Sequence, residues 1–148
     1  MFVPSTNPVT NSPMAPDVLI RENTEDTFVY NNLIYIDSGA SLSILTNNDS
    51  DLNFFRNNLY FGSVNIDPNT AFQHHSSEIF VDPKLINPGS SDPNDYKLQA
   101  DSPAIGKGIL INGSTNTSNF IQNNGGKDYF GNSVSNSEKP NIGAYNGS

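Results

Sequence analysis

Cysteine is absent, so neither a disulfide framework nor a thiolate metal site exists, and the chain suits either redox compartment. Basic side chains are few: seven Lys and Arg stand against fifteen Asp and Glu, for a net charge of -8. That field repels phosphate backbones and anionic lipid surfaces, so no nucleic-acid partner is expected. It also opposes acidic polysaccharides such as uronates, unless a local cation or a few placed Arg and Lys reverse it. Neutral glycans meet no such barrier. No apolar run approaches the roughly 18 to 20 residues of a membrane span, and the opening MFVPSTNPVTNSPMAP carries neither the basic n-region nor the apolar h-region of a signal peptide. The expectation is that any export signal lies elsewhere or that Met1 is not the natural start.

Helix-forming residues are scarce too. Only 34% of the 148 residues are hydrophobic, while 23 asparagines, 11 glycines and 10 prolines supply turns. The length permits one modest core. Residues 1–16 hold four prolines among Ser, Thr and Asn and read as a disordered linker or arm. From residue 17 to 148 the texture is short apolar runs between Asn, Asp, Gly and Ser: VLI, FVY, LIYI, LSIL, LNFF, LYF, EIFV and ILI. These runs, rich in Val, Ile, Phe and Tyr, predict strands.

One phrase recurs. FVYNNLIYI, Phe28 to Ile36, returns 26 residues later as FFRNNLYFG, Phe54 to Gly62. Adjacent asparagines suit turns and left-handed backbone better than strands, so their reuse in one hydrophobic frame suggests a repeated bend. Three short strands per 26 residues fit a coil that climbs one β-spacing, about 4.8 Å, at each revolution. The reading is an all-β right-handed parallel β-helix. Asn31, Asn32, Asn57 and Asn58 would then form a structural ladder, amide to amide, along its axis.

Four further segments follow in order: IFVDPKLINP (79–88), DYKLQADSPAIGKG (95–108), KDYFGN (127–132) and NIGAY (141–145). Together they resemble the C-terminal region of secreted bacterial right-handed parallel β-helix proteins of the pectin-lyase-like superfamily, over residues 18–145. The family pattern has an acidic residue and Ala where this chain has Gly106 and Lys107, and acidic residues at the positions of Asn141 and Asn146. The resemblance implies the last few coils plus a C-terminal cap that covers the end of the coil. Leu85, Ile86, Leu98, Ala104, Ile105, Ile142 and Tyr145 would be the core of that cap. It also implies a secreted or cell-surface protein that acts on or binds a polysaccharide or glycan, with upstream coils of the same protein as partner if the chain is a fragment. With about three coils, one face of unpaired strand edges is expected to cause self-association.

Lyases of that superfamily use basic side chains, sometimes with calcium, on the outer face. Proton abstraction beside a uronate carboxylate needs a base and a cation for the developing enolate. Candidates are Arg56 and Lys84, then Arg21, His74 and His75; each also reads as an ordinary solvated or loop residue. Adjacent histidines on a strand point to opposite faces, which disfavours a metal pair. Asp49 and Asp51 have the alternate spacing of calcium loops, but the sixth position is Phe54 and the twelfth Tyr60, so calcium is a minor option beside no cofactor. Asp92, Asp95 and Asp128 are loop carboxylates whose separation would decide any glycosidase role. Exposed Tyr30, Tyr35 and Tyr60, with Arg56, could hold sugar rings; core or solenoid stacking is the alternative. Three functions stay open: a mainly structural C-terminal portion of a carbohydrate-active protein, an independent glycan-binding or adhesion module, and an active uronate lyase.

Overall fold

A computed structural model describes residues 18–20, 28–46, 53–66, 72–74, 76–111 and 126–147. The regular structure of the described residues is almost all strand, an all-β arrangement of nine short strands and one 3-10 turn, Pro93–Tyr96. The predicted arm, residues 1–16, lies outside the described residues.

The strands are β1 (Val18–Ile20), β2 (Phe28–Tyr30), β3 (Leu33–Tyr35), β4 (Leu42–Thr46), β5 (Asn53–Arg56), β6 (Leu59–Phe61), β7 (Val64–Ile66), β8 (Phe72–His74) and β9 (Ile79–Phe80). Each of β1 to β6 pairs with the strand three further on, always in parallel. Three three-stranded sheets result, β1-β4-β7, β2-β5-β8 and β3-β6-β9. The chain therefore visits the three sheets in one order, three times over. In the first two passes the register offset is 26 in every sheet, as in Val18 to Ile44, Phe28 to Phe54 and Leu33 to Leu59. It falls to 22 for Leu42 to Val64, 19 for Asn53 to Phe72 and 20 for Leu59 to Ile79.

Glycine makes the first shortening possible. Between β3 and β4 the chain turns through Asp37, Ser38 and Gly39, whereas Gly62 and Ser63 alone join β6 to β7. Gly62 has φ +95, and a Cβ there would lie 2.3 Å from the Ile36 carbonyl oxygen. No other residue fits that crossing without moving the pass above.

Strand alternation splits the apolar residues between two cores. Ile36, Leu42, Phe55 and Tyr60 cluster with Val29, Ile34 and Val64 between the sheets. Leu59 points the other way and packs with Leu85, Leu98, Ala104 and Ile142, joined by Leu33 and Ile79 from the flanking strands. Leu33, Leu59 and Ile79 are register partners, so one column spans the outer face of β3-β6-β9.

The closing segment lies along the side of the third sheet and touches all three of its strands. Ile86, expected in its core, is 51% exposed, because the Leu85–Leu98 antiparallel bridge turns Leu85 inward and its neighbour out. The segment has little regular structure and is held by staples. The buried Ser102 hydroxyl donates to the Pro83 carbonyl at 2.6 Å and accepts from the Ala104 N–H at 3.2 Å. The Gln99 side chain donates to the Leu85 carbonyl. Gly108 passes so close to Pro140 that a Cβ would meet its carbonyl oxygen at 2.8 Å.

Candidate functional site at the asparagine bend

The two asparagines of each pair have different partners. Asn31 and Asn57 take the left-handed backbone, φ 60 and 54, where Asn is among the best-tolerated residues after glycine. Their side chains leave the sheets for the closing segment. Asn31 donates to the Ile109 carbonyl at 2.9 Å and accepts from the Ile109 N–H at 2.7 Å, as a backbone neighbour would. Asn57 donates to the Lys107 carbonyl at 2.7 Å. Segment 107–109 is thus pinned across two passes.

Asn32 and Asn58 point along the stack of passes. Asn58 Oδ1 accepts from both the backbone N–H and the side-chain amide of Asn32, each at 2.9 Å. Asn58, fully buried, repeats the gesture one pass on, where its backbone N–H and Nδ2 donate to Glu78 Oε1 at 3.0 and 3.1 Å. Its Nδ2 also reaches the Val29 carbonyl at 2.8 Å. In the third pass Ser77 and Glu78 stand where the asparagines stood, and the Ser77 hydroxyl accepts from the Asn57 N–H. The sequence period hides this pair, because the offset has contracted to 20; aligning SEIFV with NNLYF would have revealed it.

The candidate residues for chemistry are scattered around this bend. Arg56 is half-buried on β5, beside its register partner Tyr30, with its guanidinium carbon 5.7 Å from the Phe54 ring centroid. Phe54 in turn stacks on Phe28 at 5.3 Å and 8°. Lys84 has φ 53 and pairs with Asp101, whose carboxyl is held below its usual range by that hydrogen bond. Lys84 and Arg56 therefore have separate partners, a carboxylate and a ring respectively.

The three tyrosines do not share a face. Tyr35 packs beside the outer cluster of the third sheet and tilts against Phe61 at 5.3 Å. Tyr30 is half-buried, and burial raises its phenol while Arg56 opposes the shift. Tyr60 was expected to be exposed and is 1% exposed, a core residue stacked on Phe80 at 5.1 Å. Burial pushes its phenol far up, with the Glu78 carboxylate adding to the effect, and its hydroxyl meets no acceptor or donor in hydrogen-bonding geometry. It presents no ring to a sugar.

The loop carboxylates organise turns. Asp92 caps the 3-10 turn by accepting from the Asn94 N–H, which lowers its pKa. Asp95 accepts from the Asn87 amide. For Asp128, burial pushes upward, but the Asn132 side chain and the N–H groups of Asn146, Asn132 and Phe130 outweigh it and leave the carboxyl lowered. Asn141 uses what a carboxylate lacks: its Nδ2 donates to the Tyr145 and Gly147 carbonyls while Oδ1 accepts from the Gly106 N–H.

Arg21, His75, Asp49 and Asp51 lie outside the described residues, as does the side chain of His74, which pairs with Phe55 through the backbone. Among the described residues there is no group of three or more His, Cys, Asp or Glu that could hold a metal ion, and no helix long and apolar enough to cross a membrane. No family model, curated protein or solved structure matches the chain.

Proposed function

We propose that these passes are the last coils of a right-handed parallel β-helix of pectin-lyase-like type, and that this portion serves a secreted or cell-surface carbohydrate-active protein as structure. The observation that carries the reading is the Asn32–Asn58–Glu78 column, which needs equivalent residues of successive passes directly above one another. The uniform parallel pairing of every third strand supports it. The fixed commitments of Lys84, Asp92, Asp101 and Asp128 support a structural role, since an acid–base pair must face a substrate instead of a turn. Upstream coils of the same protein are the partner this reading implies, and it requires no cofactor; calcium at Asp49 and Asp51 belongs to the lyase alternative.

The glycan-binding alternative draws on one observation, Arg56 beside Tyr30 on the outer face of β2-β5-β8. Against it, stacked Phe28 and Phe54 turn their faces to each other, whereas sugars pack on ring faces. The deciding experiment incubates the purified chain with a panel of uronate polymers and follows ultraviolet absorbance of unsaturated product, with a glycan array in parallel. The structural reading predicts neither product nor binding. Product that disappears in Arg56→Ala or Lys84→Ala would establish the lyase, and array binding lost in Arg56→Ala would establish the glycan module.

A further inference from the structure

The amide column has a direction. At each step the earlier pass donates, through one backbone N–H and one side-chain N–H, to the side chain of the later pass, the Asn58 amide reaching both Glu78 oxygens. Asn32 and Asn58 can both donate and accept, so each can sit in the middle. Glu78 accepts from Asn58, but a carboxylate has no N–H to hand on. The column stops there by chemistry, and β9 is also the edge strand of its sheet.

The two ends of the column can be compared. At the first pass Asn32 is exposed, and no described residue donates to its Oδ1. At the last pass Phe80, in register with Tyr60 and Ile34, is 57% exposed. A second copy laid on β9 by its β3 edge would continue the column of Ile34, Tyr60 and Phe80 and place its Asn32 over Glu78. In that position the Asn32 Oδ1 needs two N–H donors and meets one N–H and a carboxylate oxygen. Two acceptors facing each other in a half-buried site are repulsive.

We propose that Glu78 is an end-stop: it closes the asparagine column and keeps the last edge from accepting the first edge of another copy. Inward-pointing charge on an edge is an established way to prevent open-ended strand addition. Head-to-tail contacts are heterologous and grow without closing, whereas two first edges that meet close at a dimer. This rests on the hydrogen bonds of Asn32, Asn58 and Glu78 and on β3 being an edge of the chain tested, and not on any activity of the protein; upstream coils would move the first edge and leave Glu78 at the last.

The test is light scattering on the whole chain over a concentration series, for wild type, Glu78→Gln and Glu78→Asn, with circular dichroism as a check of folding. Gln supplies the missing N–H at nearly constant shape. Wild type is expected to stay at or below a dimer, and Glu78→Gln to rise at least about twofold above it and keep rising with concentration. Adding Phe80→Glu to Glu78→Gln should return the mass to the wild-type value. The proposal is overturned if folded Glu78→Gln matches wild type, or if wild type itself grows beyond a dimer to the same extent. If neither Gln nor Asn at position 78 gives a folded protein, the carboxylate is required by the fold, and the end-stop is overturned as well.

Discussion

Asn58 Oδ1 accepts two hydrogen bonds from Asn32, one from its backbone and one from its side chain. Residues 26 apart thus behave as neighbours, and Asn58 is the better protected of the two. It is fully buried, and it also satisfies the Val29 carbonyl and Glu78. Removing its amide strands several buried groups at once, each costing about 1–3 kcal/mol. Asn58→Ala should therefore destabilise by roughly 3–5 kcal/mol, against about 1 kcal/mol for exposed Asn32→Ala. Urea titration of both variants checks the ranking; equal losses would show that the column carries no weight.

Asn57 combines two roles that substitution can separate. Gly keeps the left-handed backbone and loses only the bond to the Lys107 carbonyl, a cost near 1 kcal/mol. Ala loses the bond and adds the Cβ penalty of that conformation, about 1–2 kcal/mol more. Denaturation midpoints should fall in the order wild type, Asn57→Gly, Asn57→Ala. A glycine variant as unstable as the alanine one would mean that the bond to 107–109, and not the bend, sets the choice of asparagine.

Gly62→Ala should be among the most damaging single changes. It places a methyl group against the Ile36 carbonyl at a positive φ, and backbone cannot yield as a flexible side chain does. A loss of at least about 2 kcal/mol is expected. Gly39, also at positive φ but with open space around its Cβ position, is the control: Gly39→Ala should cost about 1 kcal/mol, from conformation alone. Thermal melts of the pair make the comparison.

Which of these features could be read from the sequence depended on whether residues repeat at constant spacing. Phe28 and Phe54, Asn31 and Asn57, and Leu33 and Leu59 share a register because the first two passes have equal length. The strands VNI and FQH escaped notice, since three residues with one or more polar side chains carry little periodic signal. Ser77 and Glu78 escaped because the contraction at Gly62 moved them off the period. The position of the closing segment was not legible either. Its motifs fix turns locally, while the choice between covering an end and covering a side depends on Leu59 facing outward, and a residue's face is known only once the strand register is known. The same limit applies to Tyr60, whose exposure is decided by alternation from Leu59.

Asp128 gives the pH dependence a sign. Its folded pKa lies below the ordinary value of 3.8, because donors from Asn132, Asn146 and Phe130 outweigh burial. A depressed folded pKa means that the ionised carboxylate stabilises the fold. The contribution is complete above the unfolded value and is lost as pH falls from about 4 through the folded pKa. Its side chain ties Asn132 to the N–H of Asn146, and so joins the turn at 128–132 to the segment that holds Asn141 and Ile142. Stability measured by urea titration between pH 6 and pH 2 should therefore decline below about pH 4, and Asp128→Asn should be less stable at pH 6 but show a shallower decline. Identical slopes for the two proteins would assign the acid sensitivity to other carboxylates.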